Sequence, residues 1–384
     1  MECSGAPTRL VREIADLGAG DAASAGAKAA SLGELTRAGL CVPAGYVVTA
    51  KAFALAMAAL DPDGLLRDEI ARLPADDLGA IGRAAAGVRA RITAAPLPAS
   101  VAAEVTAAHG RLGAGAAEVT AAHGRLGAGA AAVAVAVAVA VRSSATGEDS
   151  AEASFAGLQD TYLGVGGLDA VLDRVRACWA SLYNDESVAY RRRLGLPEDG
   201  LGMGVVVQRM LSPRAAGVMF TRSPVTGDRS VVAIEATWGL GSALVAGEVT
   251  PDSFTVSKVT GEITGRRVGS KLRLQTFLAS EPGVTTVAMP AEMRGRPCLT
   301  DDEARTLARV ARRVEEHFGS PQDIEWALLG DDPAFSSLHG ETADRIMLLQ
   351  SRPETVWAAR GRSPVASPQP RASDHILSRL GKPL

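Results

Sequence analysis

Apolar and polar residues recur with two different periods along the chain, and each period predicts a different element. Leu32 and Leu35 share one helical face and Gly39 follows at the expected end, so this segment predicts a helix beginning near Lys28. The next segment, VPAGYVVT, predicts a turn, a short apolar strand and an N-cap at Thr49 for another helix. This alternation favours an α/β or α+β fold.

A 14-residue segment, AEVTAAHGRLGAGA, occurs at residues 103–116 and again without change at 117–130. Stacked repeat folds need about three or more units, so two copies indicate a duplication within an Ala- and Gly-rich helical hairpin. We interpret His109 and His123 as two solvent-facing copies of one histidine and not as metal ligands.

The run AVAVAVAVAV at residues 132–141 has the period of a strand, but both of its faces are apolar. It is therefore predicted to be a strand buried on both sides. It leads into VRSSATGEDSAEASFAGLQDTYLGV, residues 141–165, which is rich in hydroxyl groups and small residues. Arg142 at the predicted strand end and a loop containing Gly157 would suit a polyanion such as the phosphate tail of a nucleotide.

The second half of the chain is rich in predicted antiparallel strands. GLGMGVVVQRM and AAGVMFTRSPV predict two strands joined by the turn LSPR, and SVVAIEATWGLG predicts another. Residues 301–319 predict an amphipathic helix that ends at Gly319. QDIEWALLG and DRIMLLQSRPE then predict paired strands around a polar loop, and a Pro-, Ser- and Arg-rich tail follows from about Ala359.

Composition excludes several classes of protein. A chain of 384 residues with 47% hydrophobic content can bury a core in two or three lobes. Its net charge of -3 and the lack of a basic face argue against nucleic acid as a partner. The charged N-terminus and the lack of a long apolar segment argue against secretion and a membrane span. Four widely separated cysteines without a CxxC pair indicate neither zinc nor disulfides, and they favour the cytoplasm.

The last two predicted strands contain a candidate cation site. Glu325 and Gln350 offer hard oxygen ligands of the kind that Mg²⁺ takes alongside substrate phosphates. Arg352 lies two residues after Gln350 and so faces the same way in a strand. The alternative is an ordinary polar strand face. GxxxxGK[ST] is absent, GLGSAL lacks the third glycine of GxGxxG, and no protein-kinase catalytic loop occurs, so a nucleotide site here would use another architecture.

An ordered set of motifs makes a family resemblance specific. GAKAASLGEL, CVPAGYVVT, the 141–165 segment, QRM, AAGVMFTRSPVTGD, EATWGLGSALVAGEVTPDSF, DIEWAL and LLQSRPETVW occur in that order. They resemble the N-terminal ATP-binding domain of the phosphoenolpyruvate synthase and pyruvate phosphate dikinase family, which includes rifampicin phosphotransferase. The resemblance covers residues 10–358. It implies an α+β, ATP-grasp-like fold with lobes at 1–200 and 201–358 and a flexible tail at 359–384.

The resemblance also implies ATP and Mg²⁺ as cofactors and assigns roles to individual positions. The implied catalytic and phosphate-binding residues are Lys28, Arg142 and Arg352, with Gly157 and Thr161 in a loop that closes on the phosphates. The implied adenine hinge is Gln208, Arg209 and Met210, with Glu235 toward the ribose and Glu325 and Gln350 on Mg²⁺. Two departures from the family pattern are Ala27, where a second glycine is usual, and Leu158 in the closing loop.

Full-length family members continue into a swivelling domain with a phosphorylated histidine and then into an acceptor-binding domain. None of the five histidines of this chain lies in a similar context. The arrangement resembles the two-component phenylphosphate and cresol phosphate synthases. It predicts a catalytic subunit that uses ATP, giving AMP and phosphate, to phosphorylate a histidine on a separate partner subunit for transfer to a phenol. The alternatives are pyruvate or an antibiotic as the acceptor, or a non-catalytic nucleotide-sensing module.

Overall fold

The structure is a computed structural model. It describes residues 9–124, 137–146, 149–150, 153–154, 160–277, 283–330, 342–355 and 357, with the backbone alone at 115–124, 149–150 and 153–154. Its helices are α1 (Ala22–Ala25), α2 (Ala27–Arg37), α3 (Ala50–Leu60), α4 (Leu65–Arg72), α5 (Leu78–Ala94), α6 (Ala99–Gly124), α7 (Leu168–Ser181), α8 (Asp185–Leu194), α9 (Ser242–Val245) and α10 (Asp301–Phe318). Short 3-10 helices lie at Ile14–Asp16, Ala19–Asp21 and Thr342–Arg345.

The strands form two main antiparallel sheets. They are β1 (Val11–Glu13), β2 (Gly45–Val48), β3 (Val139–Ala145), β4 (Asp149–Ser150), β5 (Ala153–Ser154), β6 (Thr161–Val165), β7 (Met203–Arg209), β8 (Ala215–Phe220), β9 (Val231–Trp238), β10 (Asp252–Ser257), β11 (Ile263–Arg267), β12 (Arg273–Thr276), β13 (Thr285–Ala288), β14 (Gln322–Leu328) and β15 (Ile346–Pro353). The first sheet has the order β1-β2-β7-β3-β6, and the second has the order β11-β10-β9-β8-β14-β15. Two hairpins, β4–β5 and β12–β13, stand apart.

The first sheet is buried on both faces because successive side chains of its central strands point into different cores. Tyr46 and Val48 on β2 pack with helices α3, α5 and α7 in one core. Val47 on β2 and Val206 on β7 instead pack in a second core, between helix α2, helix α10 and the second sheet. All seven residues of β3 are buried, so the expectation of a strand buried on both sides is confirmed for that segment.

Strand β3 begins later and extends further than predicted. It begins at Val139 and runs to Ala145, and residues 132–136 of the apolar run lie outside the described residues. Arg142 is therefore the fourth of seven strand residues and not the end of the strand. Pairing with β7 continues through Ser143 and Ser144, which extends the strand beyond the purely apolar run.

The two strands flanking LSPR form as predicted, but this segment does not turn the chain back within one sheet. Strand β7 belongs to the first sheet and β8 to the second, so residues 210–214 cross from one sheet to the other. Both strands are antiparallel to their actual neighbours. The division into lobes at residues 200 and 201 stays a prediction, although β7, which follows that boundary, pairs within the first sheet.

The duplicated segment does not form a helical hairpin within the described residues. Helix α6 runs without interruption through the first copy and into the second as far as Gly124, and residues 125–130 lie outside the described part. His109 is half-buried and not fully solvent-facing, and its Nδ1 is a buried atom without a hydrogen-bond partner. Burial lowers the pKa of His109, which favours the neutral ring. The side chain of His123 is not described.

Several local predictions are confirmed. Helix α2 begins at Ala27, one residue before Lys28, and α10 has a capping box in which Thr300 and Glu303 satisfy each other's backbone N–H groups. Thr49 is the N-cap of α3, but its hydroxyl group donates to backbone carbonyls upstream and not to the helix. Within the described residues, no helix is both long and apolar enough to cross a membrane.

Candidate functional site

Charged and amide side chains form one row across the second sheet. Glu235 on β9 lies opposite Val218 on β8, Val218 lies opposite Glu325 on β14, and Glu325 lies opposite Gln350 on β15. Residues that lie directly opposite each other in a sheet project from the same face. Glu235, Glu325 and Gln350 therefore line the same cavity, as the family pattern implies.

Arg142 reaches this row from the first sheet. Its Nη2 donates to Glu325 Oε2 at 2.9 Å and to Gln350 Oε1 at 2.8 Å, and its Nη1 donates to the Leu349 carbonyl at 2.7 Å. The predicted metal ligands are thus held by a guanidinium group in this structure. Because one cationic nitrogen contacts both oxygens, the two oxygens converge on a point where a cation fits.

A β-bulge supplies the third acceptor for Arg142. Gln350 pairs with Glu325, but Leu348 pairs with the next residue, Trp326, so Leu349 is an extra residue in strand β15. A bulge disrupts the ladder locally, leaves one residue unpaired and re-aims its neighbours. The Leu349 carbonyl consequently accepts the hydrogen bond from Arg142.

Lys28 lies in the first turn of helix α2, at the same cavity. Its Nζ donates to the Ser143 carbonyl at 2.7 Å, and Ser144 Oγ accepts from the Ala29 backbone N–H at 3.2 Å. Gly26, before the helix, has a φ of +85°, and a Cβ atom there would lie 2.0 Å from the Ser144 carbonyl oxygen. Glycine is therefore required at 26, whereas Ala27 is an ordinary helical residue, so the departure at 27 does not disturb the helix start.

Two adjoining cavities lie between the sheets, and Arg142, Thr161, Val245 and Glu325 line both. We name the first, of about 340 Å³, the apolar compartment. Its wall includes Ala140, Leu163, Met210, Leu211, Pro213, Ala216, Leu240, Trp326 and Leu349. We name the second, of about 400 Å³, the charged compartment. Its polar wall is formed by Lys28, Arg142, Thr161, Glu235, Asp323, Glu325, Gln350 and Arg352.

The predicted hinge residues Gln208, Arg209 and Met210 line the apolar compartment. Their N–H groups are largely used within the protein. Gln208 is 2% exposed and its Nε2 donates to the Pro43 carbonyl at 3.0 Å. The backbone N–H of Arg209 donates to Ala44 and that of Met210 to Ala138. The backbone N–H groups of Arg209 and Met210 are consequently not left to donate to a base.

Asp323 is a residue that the sequence analysis missed. It lies on β14 two residues before Glu325 and therefore on the same face, opposite Arg352 on β15. The pKa of Asp323 is raised to about 6, chiefly by burial; Arg352 opposes the shift and the Glu354 carboxylate adds to it. Oδ2 lies 3.5 Å from Arg352 Nε, whereas Oδ1 is buried without a hydrogen-bond partner. The period-two alternation that placed Gln350 and Arg352 on one face of β15 also places Asp323 and Glu325 on one face of β14.

The predicted closing-loop positions are only partly described by the structure. Thr161 begins strand β6 and lines both compartments, whereas Gly157 and Leu158 lie outside the described residues. Within the part of the chain that the structure describes, no three His, Cys, Asp or Glu side chains cluster closely enough to hold a metal ion. Magnesium often takes one or two protein carboxylates and completes its shell with substrate phosphates and water. The pair Glu325 and Gln350 fits that mode of binding.

An apolar and a charged compartment thus adjoin each other between the two main sheets. Residues 22–373 match the family described as pyruvate phosphate dikinase, AMP/ATP-binding domain. The chain belongs to this family, and the expected α+β, ATP-grasp-like fold is confirmed. It is an ATP-binding domain of the group that contains phosphoenolpyruvate synthases and rifampicin phosphotransferases.

Individual relatives agree with this assignment. The chain is 44% identical over 351 residues to a rifampicin phosphotransferase of Streptomyces sp, covering 91% of this chain and 38% of the relative. It is 37% identical to a probable phosphoenolpyruvate synthase of Methanothermobacter thermautotrophicus, and the match covers 90% of this chain and 46% of that relative. It is 34% identical to the phosphoenolpyruvate synthase of Pyrococcus furiosus, and the match covers 97% of this chain and 47% of that relative. The chain thus spans less than half the length of these relatives.

Proposed function

We propose that ATP lies across the two compartments, with its base in the apolar compartment and its triphosphate in the charged compartment. The observation that carries this proposal is the convergence of Arg142, Glu325 and Gln350 at the border between the compartments. Gln208, Arg209 and Met210 would border the base, and Glu235 would approach the ribose.

We further propose that Glu325 and Gln350 hold Mg²⁺ together with phosphate oxygens. The metal ion, when bound, neutralises phosphate charge and orients the reacting group. Lys28 and Arg142 would neutralise the phosphates nearer the base, and Arg352 would hold the terminal phosphate. Thr161 and the loop that contains Gly157 would cover them. Phosphoryl transfer is catalysed mainly by such positioning and charge neutralisation.

The proposed reaction is that of a dikinase-type phosphotransferase. A histidine nitrogen on a separate partner subunit attacks the β-phosphorus of ATP, the bond to the α–β bridging oxygen breaks, and AMP leaves. Water then cleaves the pyrophosphorylated histidine to phosphohistidine and inorganic phosphate. His109 and His317 line neither compartment, so neither of these described histidines is placed to accept the phosphoryl group. Arg352 would keep the γ-phosphate anchored while the α–β bridge breaks.

The phosphoryl group would then pass to a small acceptor bound mainly on the partner, and we propose a phenol. The 44% identity to a rifampicin phosphotransferase favours a second candidate, an antibiotic acceptor. Pyruvate is a third candidate because of the phosphoenolpyruvate synthases among the relatives. We place the chain in the cytoplasm, since Cys41, Cys178 and Cys298 are free thiols.

The experiment has two steps. Titration calorimetry of the chain with ATP in the presence of Mg²⁺ is expected to show one site, with slow hydrolysis. ATP labelled at the β-phosphate is then incubated with the chain, a separately produced histidine domain from a family member, and a phenol, rifampicin or pyruvate in turn. Chromatography is expected to show AMP and label on the histidine domain.

Each alternative gives a different result. Stoichiometric ADP would contradict attack at the β-phosphorus. Rapid phosphoryl transfer to a small acceptor by the chain alone would contradict the need for a partner. Tight ATP binding with no transfer to any histidine domain would instead support a nucleotide-sensing module.

A further inference from the structure

Helix α2 makes a polar contact with strand β15, which contributes Gln350 and Arg352 to the charged compartment. Ser31 lies three residues after Lys28, so both side chains lie on the same side of the helix. Its Oγ donates to the backbone carbonyl of Ser351 at 2.7 Å. Ser351 lies between Gln350 and Arg352 on strand β15. One hydrogen bond therefore joins the helix that carries the lysine to the strand that carries the arginine.

Strand β15 is the last strand of the second sheet, and residues from the first half of the chain cover its outer edge. The Leu348 backbone N–H donates to the Cys41 carbonyl at 2.8 Å, and Arg142 donates to the Leu349 carbonyl at 2.7 Å. An exposed strand edge leaves such groups unpaired. Ser31 continues this row of contacts toward the end of the strand.

Both partners of the Ser31 hydrogen bond are held firmly. Ser351 is 3% exposed, and its own Oγ donates to Gln322 Oε1 at 2.9 Å, which fixes the strand from the core side. At the other end of the contact, Ser144 Oγ accepts from the Ala29 N–H and fixes the first turn of α2. Leu32 on the same helix is completely buried. The helix is thus anchored at its start, at its core face and at Ser31.

We propose that Ser31 is a positioning residue that sets the spacing between Lys28 and Arg352 across the charged compartment. Ser31 lines neither compartment, so it acts through the placement of these two cations and not through contact with a ligand. This inference rests on the proposed binding of the triphosphate in the charged compartment. Its chemical consequence is selective: a ligand with β- and γ-phosphates spans both cations and depends on their spacing, whereas a ligand that stops at the α-phosphate reaches Lys28 but not Arg352 and does not.

The test compares ATP and AMP on the same variants by titration calorimetry with Mg²⁺ present. Ser31→Ala is expected to weaken ATP binding about three- to tenfold, the usual effect of losing one neutral hydrogen bond, and to leave AMP binding unchanged. Ser31→Thr keeps the hydroxyl group and is expected to bind ATP like the wild type. Thr36→Ala is the matched control, because Thr36 on the same helix donates only to the Leu32 carbonyl within that helix. This control should leave both affinities unchanged.

The outcomes separate this inference from the proposed function. Equal losses of ATP and AMP affinity in Ser31→Ala would indicate a general structural role and overturn the inference. An unchanged ATP affinity in Ser31→Ala, or an equal loss in Ser31→Thr, would overturn it as well. Failure of the wild-type chain to bind ATP would overturn the proposed function itself, whatever the variants do.

Discussion

The apolar and the charged compartments adjoin each other, but their polar groups are used in different ways. In the apolar compartment, Gln208 and the backbone N–H groups of Arg209 and Met210 already donate to carbonyl groups of the protein. In the charged compartment, Arg142 and Glu325 neutralise each other, and Asp323 keeps a buried oxygen atom without a partner. The first compartment leaves the indole N–H of Trp326 without a partner, whereas the second combines an ion pair with an unpartnered carboxylate oxygen, which are groups that a metal ion and phosphates would satisfy better.

This difference indicates how each part of the proposed ligand would bind. The apolar ring faces of an adenine base can pack in the first compartment without breaking hydrogen bonds of the protein. A triphosphate with a metal ion would instead exchange partners: Arg142 would release Glu325 and Gln350, and the phosphates and metal would replace that contact. Removing one member of a buried charge pair leaves the other uncompensated, so the charged compartment should be far more sensitive to substitution.

Glu325→Ala tests this difference with the largest expected effect. The variant removes the charged member of the proposed metal pair. We expect Mg²⁺-dependent phosphoryl transfer to fall on the order of 100-fold or more, while AMP binding in the apolar compartment is unchanged. Nucleotide chromatography and calorimetry measure the two quantities. Glu262→Ala, on a distant exposed turn, is the control. Near-normal transfer by a folded Glu325→Ala protein would remove this residue from the site.

Arg142→Met separates the two functions of the charged compartment. We expect ATP affinity to fall about thirtyfold, a typical cost of truncating a buried charged hydrogen-bonding group. Without the guanidinium group, the oxygens of Glu325 and Gln350 are released, so Mn²⁺ without nucleotide should bind more tightly to the variant than to the wild type. Electron paramagnetic resonance of free Mn²⁺ measures this binding. Equal Mn²⁺ affinities for the two proteins would show that Arg142 does not compete with the metal.

Asp323→Asn gives the smallest expected effect and tests whether the charged compartment costs stability. Because the pKa of Asp323 is raised to about 6 in the folded protein, the folded state binds its proton more tightly than the unfolded state. The contribution of Asp323 to stability is therefore present at low pH and is lost as pH rises through about 6. The variant should be about 1 kcal/mol more stable than the wild type at pH 7.5, after allowance for partial exposure, and the difference should shrink toward pH 5. Urea unfolding at the two pH values measures this. A difference independent of pH would contradict the assignment.

Local patterns in the sequence predicted much of what lies within single elements. The apolar spacing around Leu32 and Leu35 predicted helix α2, and the acidic first turn together with Gly319 predicted the bounds of α10. Alternation along β15 predicted that Gln350 and Arg352 share a face. Applied to β14, the same period would have added Asp323. These features depend on the geometry of one helix or one strand, so a short segment contains the information.

Other features depend on contacts between distant segments. The same apolar alternation suits β7 and β8 to either sheet, and only packing against the two cores decides that the chain crosses between sheets after Arg209. The repeat at 103–130 is compatible with a hairpin or with the continuous helix α6, because Gly113 and Gly115 can end a helix but are also tolerated within one.

By itself, the sequence determined the family, the two-lobed fold and the residue types around the cleft, because these follow from ordered motifs and local periods. The tertiary structure alone decided that Arg142 occupies the oxygens of Glu325 and Gln350, and that Ser31 joins helix α2 to strand β15. Arg142 and Glu325 are 183 residues apart, and Ser31 and Ser351 are 320 residues apart. Such contacts arise only when burial of the second core brings the first sheet, α2 and the edge of the second sheet together.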